Sequence, residues 1–100
     1  MITYIKSKEQ FEEEIKNGIT LVDFYATWCG PCSMLAPLLE QLSEETNIKI
    51  LKIDVDELGD LAEQYRIMSI PTLYLFKDGK LLKVERGYMP YKNLKEFINL

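Results

Sequence analysis

Val22-Asp-Phe-Tyr-Ala-Thr-Trp-Cys-Gly-Pro-Cys32 couples an apolar run to a closely spaced pair of cysteines. Ile19 to Ala26 is rich in β-branched and aromatic residues and reads as a strand apolar on both faces, the pattern of a central strand in a covered sheet. Beyond the cysteines, Leu35, Leu38, Leu39 and Leu42 recur at helical spacing from Met34 to about Thr46. Pro37 lies inside that helix, removes a backbone donor and predicts a kink. Two residues between the cysteines place both sulfurs within one turn, close enough for an intramolecular disulfide. Cys29 falls near the helix N-terminus, where unpaired amides and the macrodipole favour negative charge. A thiolate is therefore favoured, and the thiolate is the nucleophile. Gly30 permits a tight turn, and Pro31 supplies a preset φ for a helix start.

Outward from this centre, strands and helices alternate. Ile2 to Ile5 is a short apolar stretch with the character of a strand. Ser7-Lys-Glu-Gln10 has the form of a capping box, followed by Phe11 and Ile15 on one helical face, and Asn17-Gly18 ends that helix. Ile48 to Val55 is a second buried strand, and Leu58, Leu61, Ala62 and Tyr65 form a further helical stripe. Thr72–Phe76 and Leu81–Val84 flank Lys77-Asp-Gly-Lys80, and Asp-Gly between apolar runs is a strong hairpin signal. Pro90 suits the first turn of a last helix with Tyr91, Leu94 and Ile98 inward. The order βαβαβαββα predicts an α/β layer sandwich around a mixed sheet, parallel through the crossovers and antiparallel at the final hairpin.

The chain has 100 residues, one domain's worth of sequence, with 47% hydrophobic and 28% charged residues. Histidine is absent. That removes Ser-His-Asp and Cys-His nucleophile arrangements and every metal site that uses imidazole. Two cysteines are too few for one chain to close a tetrahedral thiolate site. A net charge of −4 argues against a nucleic-acid surface and against attraction to anionic lipid. No signal peptide or membrane-length apolar run is visible, so a cytoplasmic location is expected, where a permanent structural disulfide is rare.

An isolated C-x-x-C is also half of a zinc site, or a pair of buried hydrophobes. No second C-x-x-C completes a metal site here, and the position after a strand and before a helix reads as redox. Asp23 interrupts an apolar strand, and aspartate is almost never fully buried without a partner. On its own it also fits a strand-edge residue bonded to water or backbone. Lys52, likewise within an apolar run, fits a snorkelling lysine at a strand end. Pro71 fits the routine entry of a strand.

The chain resembles the thioredoxin family from end to end. The matching stretches are Val22–Cys32, Met34-Leu-Ala-Pro37, Lys52-Ile-Asp54, Tyr65-Arg-Ile-Met-Ser-Ile-Pro-Thr72, Phe76-Lys-Asp-Gly79 and Gly87. The resemblance implies one thioredoxin domain over residues 1–100, with about five strands in a central mixed sheet flanked by about four helices. It implies a protein-disulfide reductase and electron carrier acting through Cys29 and Cys32. Family members are themselves the familiar instances of a lowered C-x-x-C thiol pKa and a reducing couple, so both properties are carried over from the resemblance. Cys29 is expected to be ionised and reachable, with Cys32 sheltered beneath it. Asp23 matches a buried carboxylate that exchanges a proton with Cys32, and Lys52 matches the lysine beside that carboxylate. These four form the implied catalytic set. Pro71 matches a cis-proline beside the disulfide that keeps metal away and leaves the Ile70 backbone free to pair with an extended substrate. Trp28, Gly30, Pro31, Ile70, Pro71 and Gly87 form the implied substrate-binding patch.

No cofactor is implied, so electrons are expected from a thioredoxin reductase or equivalent protein donor, with disulfide-containing proteins as substrates and a monomer as the working form. Four places depart from the family pattern. Tyr25 stands where tryptophan is usual, Ser33 replaces a frequent basic residue, Met68 and Ser69 precede Ile70, and Tyr88 follows Gly87. The last two lie beside the implied docking patch and bear on partner choice. Two other functions fit the same residues: a dedicated carrier for one reductase or peroxidase system, and a non-enzymatic binding subunit that uses the apolar patch alone.

Overall fold

The computed structural model describes residues 1–100. Along the chain run β1 (Ile2–Tyr4), α1 (Lys8–Glu14), β2 (Ile19–Tyr25), α2 (Gly30–Thr46), β3 (Lys49–Asp54), α3 (Gly59–Gln64), β4 (Thr72–Lys77), β5 (Lys80–Arg86) and α4 (Tyr91–Phe97). The element order matches the sequence reading. The five strands form one sheet in the order β1-β3-β2-β4-β5. β1 and β2 pair with β3 in parallel, while β4 pairs antiparallel with both β2 and β5.

Alternation along the strands divides the core into two layers. Val22, Phe24, Leu51, Ile53, Tyr74 and Phe76 face one side and pack with Phe11, Ile15 and Leu61 from the α1 and α3 region. Leu21, Ile50, Leu73 and Leu75 face the other and pack with Leu35, Leu39 and Leu42 of α2 and Leu94 and Phe97 of α4. Asp23 lies between Leu21 and Tyr25 on β2, and Lys52 follows Ile50 by two on β3. Both therefore belong to the α2 face, which places two ionisable side chains under the helix that carries the cysteines.

Local details refine the expectations. Ser7 caps α1 by accepting the Gln10 N–H at 3.1 Å, but the Gln10 side chain accepts from Lys6 N at 2.6 Å, one residue short of a reciprocal box. The helix ends at Glu14, earlier than Asn17-Gly18, and Gly18 instead serves the turn into β2 with φ +78°. Pro37 sits within α2, and the helix continues through it to Thr46. Phe97, absent from the expected inward face of α4, is buried.

The β4–β5 turn places Asp78 at φ 49° and Gly79 at φ 84°, the left-handed pair that a two-residue hairpin needs. A Cβ on Gly79 would meet nothing within 4 Å, so a side chain there costs only backbone strain. Gly79→Ala is expected to lower stability by about 1 kcal/mol in urea unfolding while disulfide reduction stays at the wild-type rate.

Candidate active site

Cys29 is the N-cap of α2, with φ −88° and ψ 115°, and Pro31 lies in the first turn. The Cys29 Sγ accepts the Cys32 N–H at 3.2 Å, so the helix's own unpaired amide points at the first sulfur. The Cys29 carbonyl in turn accepts from Ser33 N at 3.1 Å and Ser33 Oγ at 3.3 Å. Cys29 and Cys32 are joined as a disulfide with their Cα atoms 5.2 Å apart.

The two sulfurs differ in surroundings more than in exposure. In this oxidised state Cys29 is 5% and Cys32 3% exposed, so the expected contrast between an open and a sheltered residue is not present as accessible area. The contrast lies in placement. Cys32 shares the inward stripe of α2 with Leu35, Leu39 and Leu42, whereas Cys29 is flanked by the exposed Trp28, Gly30 and Pro31. On its far side the Ile70 carbonyl oxygen lies 3.8 Å from Cys29 Sγ. Ile70–Pro71 is a cis peptide bond, and the Pro71 carbonyl accepts the Gly87 N–H at 2.7 Å. These contacts bring the 70–71 turn and the Gly87 turn to one place beside the disulfide. Pro71 itself is buried, while Ile70 and Gly87 are half-buried.

On the sheet face that α2 covers, Asp23 is fully buried and Lys52 is 5% exposed. They face each other across the parallel register, with Lys52 Nζ 2.9 Å from Asp23 Oδ2. The approach is a close buried ion pair, and no donor other than Lys52 reaches the carboxylate from the protein. Burial pushes the Asp23 carboxyl above its ordinary value, and the charge of Lys52 only partly opposes that rise. The side chain is thus poised to hold a proton where an exposed aspartate would have lost it.

Two residues make contacts at the site that the sequence did not reveal. The first is Asp56, whose Oδ2 accepts the Nε1–H of the 72% exposed Trp28 at 2.8 Å. Asp56 is itself fixed by its N–H on Asp54 Oδ1 at 2.9 Å. Only the strand register reveals this partnership: Tyr25 lies opposite Asp54, so the segments leaving β2 and β3 emerge side by side. The second is Tyr25, whose ring has Lys52 Nζ 4.6 Å from its centroid. Met68, Met34 and Tyr88 add exposed apolar surface at the sequence positions flanking this site. No group of side chains in the structure is arranged to hold a metal ion. No helix is long and apolar enough to cross a membrane.

A cysteine pair closing on itself at a helix N-terminus, above a mixed sheet and beside a cis-proline turn, defines a thiol–disulfide oxidoreductase. Comparison with known proteins narrows this. The thioredoxin family model matches residues 2–100. Thioredoxin of Bacillus subtilis is 46% identical over 98 residues, covering 95% of this chain and 94% of that protein. Thioredoxin of Staphylococcus haemolyticus is 50% identical over 91 residues, covering 89% of this chain and 88% of that one. Among solved structures, a mutant thioredoxin from Halobacterium salinarum superposes with a TM-score of 0.91 at 40% identity, covering 97% of this chain and 87% of that one. Oxidised mitochondrial thioredoxin 3 of Saccharomyces cerevisiae gives 0.89 at 37% identity, covering 97% and 92%. The chain belongs to the thioredoxin family. It is a protein-disulfide oxidoreductase whose redox-active pair is Cys29 and Cys32, working by dithiol–disulfide exchange with disulfide substrates and a protein reductant.

Proposed function

We propose that residues 1–100 act as one domain, a monomeric cytoplasmic reductant of protein disulfides in which Cys29 attacks, Cys32 resolves and Asp23 carries the proton. The observation that supports this reading is the placement of the two cysteines: Cys29 is the N-cap whose Sγ accepts the Cys32 N–H, and Cys32 lies on the buried stripe of α2, the helix that covers the sheet face carrying Asp23 and Lys52. In the first step the Cys29 thiolate attacks one substrate sulfur. The Cys29–substrate bond forms, the substrate S–S bond breaks, and the other substrate sulfur leaves as a thiolate. The Cys32 thiol then loses its proton to Asp23, and its thiolate attacks Cys29 Sγ. The Cys29–Cys32 bond forms, the mixed disulfide breaks, and two electrons have passed to the substrate. A separate thioredoxin reductase or equivalent donor returns the pair to the dithiol. A redox-active rather than permanent disulfide is what a compartment that keeps thiols reduced allows, and this fits the cytoplasmic assignment.

Lys52 supports Asp23 as its charge partner. Trp28, Gly30, Pro31, Ile70, Pro71 and Gly87 form the docking surface, with the Ile70 carbonyl beside Cys29 available to pair with an extended substrate segment. Met68 and Tyr88 extend this surface with apolar area and favour partners with apolar residues near the disulfide.

Insulin reduction with dithiothreitol as electron donor tests the reading. Catalytic acceleration with the wild type, lost on replacing both cysteines by serine, is expected. No acceleration over the dithiol alone would remove the reductase assignment.

The Trp28–Asp56 bond makes its own prediction. Asp56→Ala releases the indole from a charged acceptor and is expected to raise KM for a protein disulfide about 3- to 10-fold, as loss of one hydrogen bond allows. The thermal midpoint should stay close to wild type because both side chains are exposed. An unchanged KM would show that the indole's orientation is immaterial to docking.

A further inference from the structure

Lys52 is held from two sides. Its Nζ lies 2.9 Å from Asp23 Oδ2 and 4.6 Å from the centroid of the Tyr25 ring. Asp23 and Tyr25 are two residues apart on β2 and share one face of the sheet, while Lys52 stands opposite Asp23 on β3. The lysine side chain is 6% exposed, so its ammonium has lost most of its water. Two things compensate: the carboxylate, and the negative face of an aromatic ring. The carboxylate is the closer of the two, and the ring, with its centroid 4.6 Å away, is the second group that holds the end of a long flexible side chain.

We propose that Tyr25 is a positioning residue whose ring face holds the Lys52 ammonium against Asp23 and thereby sets the proton affinity of that carboxylate. The consequence for turnover rests on Asp23 being the proton carrier proposed above, but the electrostatic effect stands on the geometry alone. The other charges around the ring are Asp54 on β3 and Glu57 beyond it, with the Tyr4 hydroxyl from β1. Asp23 itself meets Lys52 from β3 and the apolar Leu73 from β4. From α2 comes the cysteine pair, which does not titrate while oxidised. Burial pushes the Tyr25 hydroxyl up to about 12, so the ring stays neutral and its face remains attractive to a cation throughout the working range. With Lys52 held close, Asp23 binds its proton less tightly than burial alone would dictate. With the ring gone, the ammonium is free to move toward solvent, and the carboxylate keeps its proton to higher pH.

The test is the titration of the Asp23 side-chain carboxyl, followed by carbon NMR in the oxidised protein. Tyr25→Leu keeps apolar bulk and removes the ring. Its Asp23 midpoint is expected to move upward by about one pH unit, a tenfold gain in proton affinity. Tyr25→Phe keeps the ring face and is expected to titrate with the wild type. In a Lys52→Met background, Tyr25→Leu is expected to add no further shift. Should leucine not be accommodated, Tyr25→Met poses the same question. The proposal is overturned if Asp23 titrates unchanged without the ring, if Tyr25→Phe shifts as far as Tyr25→Leu, or if the shift persists without Lys52. The proton-carrier reading fails separately, if Asp23→Asn leaves the pH profile of disulfide reduction unchanged, and that result leaves the NMR comparison intact.

Discussion

Cys32→Ser is expected to convert the protein from a catalyst into a trap. Cys29 retains its place at the N-cap of α2 with an α2 amide aimed at its sulfur, so the first displacement on a substrate disulfide still occurs. Nothing then resolves the mixed disulfide, and the substrate remains attached through Cys29. Cys29→Ser removes the attacking group, and disulfide reduction should fall to the uncatalysed rate, a loss of roughly a thousandfold or more for an enzyme of ordinary power. Non-reducing electrophoresis and mass mapping of the cross-linked peptide check both. Complexes formed through Cys32 in the Cys29→Ser variant, and none through Cys29 in the other, would reverse the two roles. The prediction follows from the place of Cys29 at the start of α2 rather than from accessibility, since the two residues are nearly equally buried when oxidised.

Asp23→Asn is expected to slow turnover and raise stability together. The asparagine keeps the shape but accepts no proton from Cys32. The resolving step should slow by about 10- to 100-fold near neutral pH, toward the lower end of what a positioned acid–base group contributes. The deficit should shrink at alkaline pH, where solvent deprotonates Cys32 unaided. Stability moves the other way. Burial raises the native Asp23 pKa above the ordinary 3.8, with desolvation outweighing the attraction of Lys52. Between 3.8 and the raised native value, the folded chain binds more protons at this group than the unfolded chain does. Stability from Asp23 is therefore greatest below 3.8 and falls as pH rises through that window, leaving a constant cost above it. Asparagine removes that cost, and where this relief exceeds the loss of Lys52's partner, stability at neutral pH rises in denaturant unfolding and varies less with pH than in the wild type. A variant that is both slower and less stable would mean that unpairing Lys52 outweighs relief of the buried carboxylate.

Much of this architecture can be read from local pattern. The leucines of α2 repeat at helical spacing because one face of that helix meets the sheet, and all but Leu38 of the expected set are fully buried. Asp78-Gly79 forms the hairpin because those residue types tolerate positive φ. Asp23 and Lys52 stood out because a charge within an apolar strand is anomalous. Less legible were features that depend on where separate segments meet. Ser7 looks like half of a reciprocal box, yet Gln10 turns to Lys6 instead. Phe97 is buried only because α4 lies against the same layer as α2. Asp56 carries no local mark, and its bond to Trp28 exists because β2 and β3 end together.

The amino-acid sequence by itself determined the element order, the cysteine pair at a helix start and the presence of charged residues in central strands. Each of these is set by neighbours within a few positions, through side-chain periodicity and backbone preference. The tertiary structure alone decided which face those charges share, that Lys52 rests between Asp23 and the Tyr25 ring, and that Ile70, Pro71 and Gly87 gather beside Cys29. The physical reason is strand order: β3 and β4 flank β2 from distant parts of the chain, and the register between them, rather than any local preference, sets what surrounds the sulfurs.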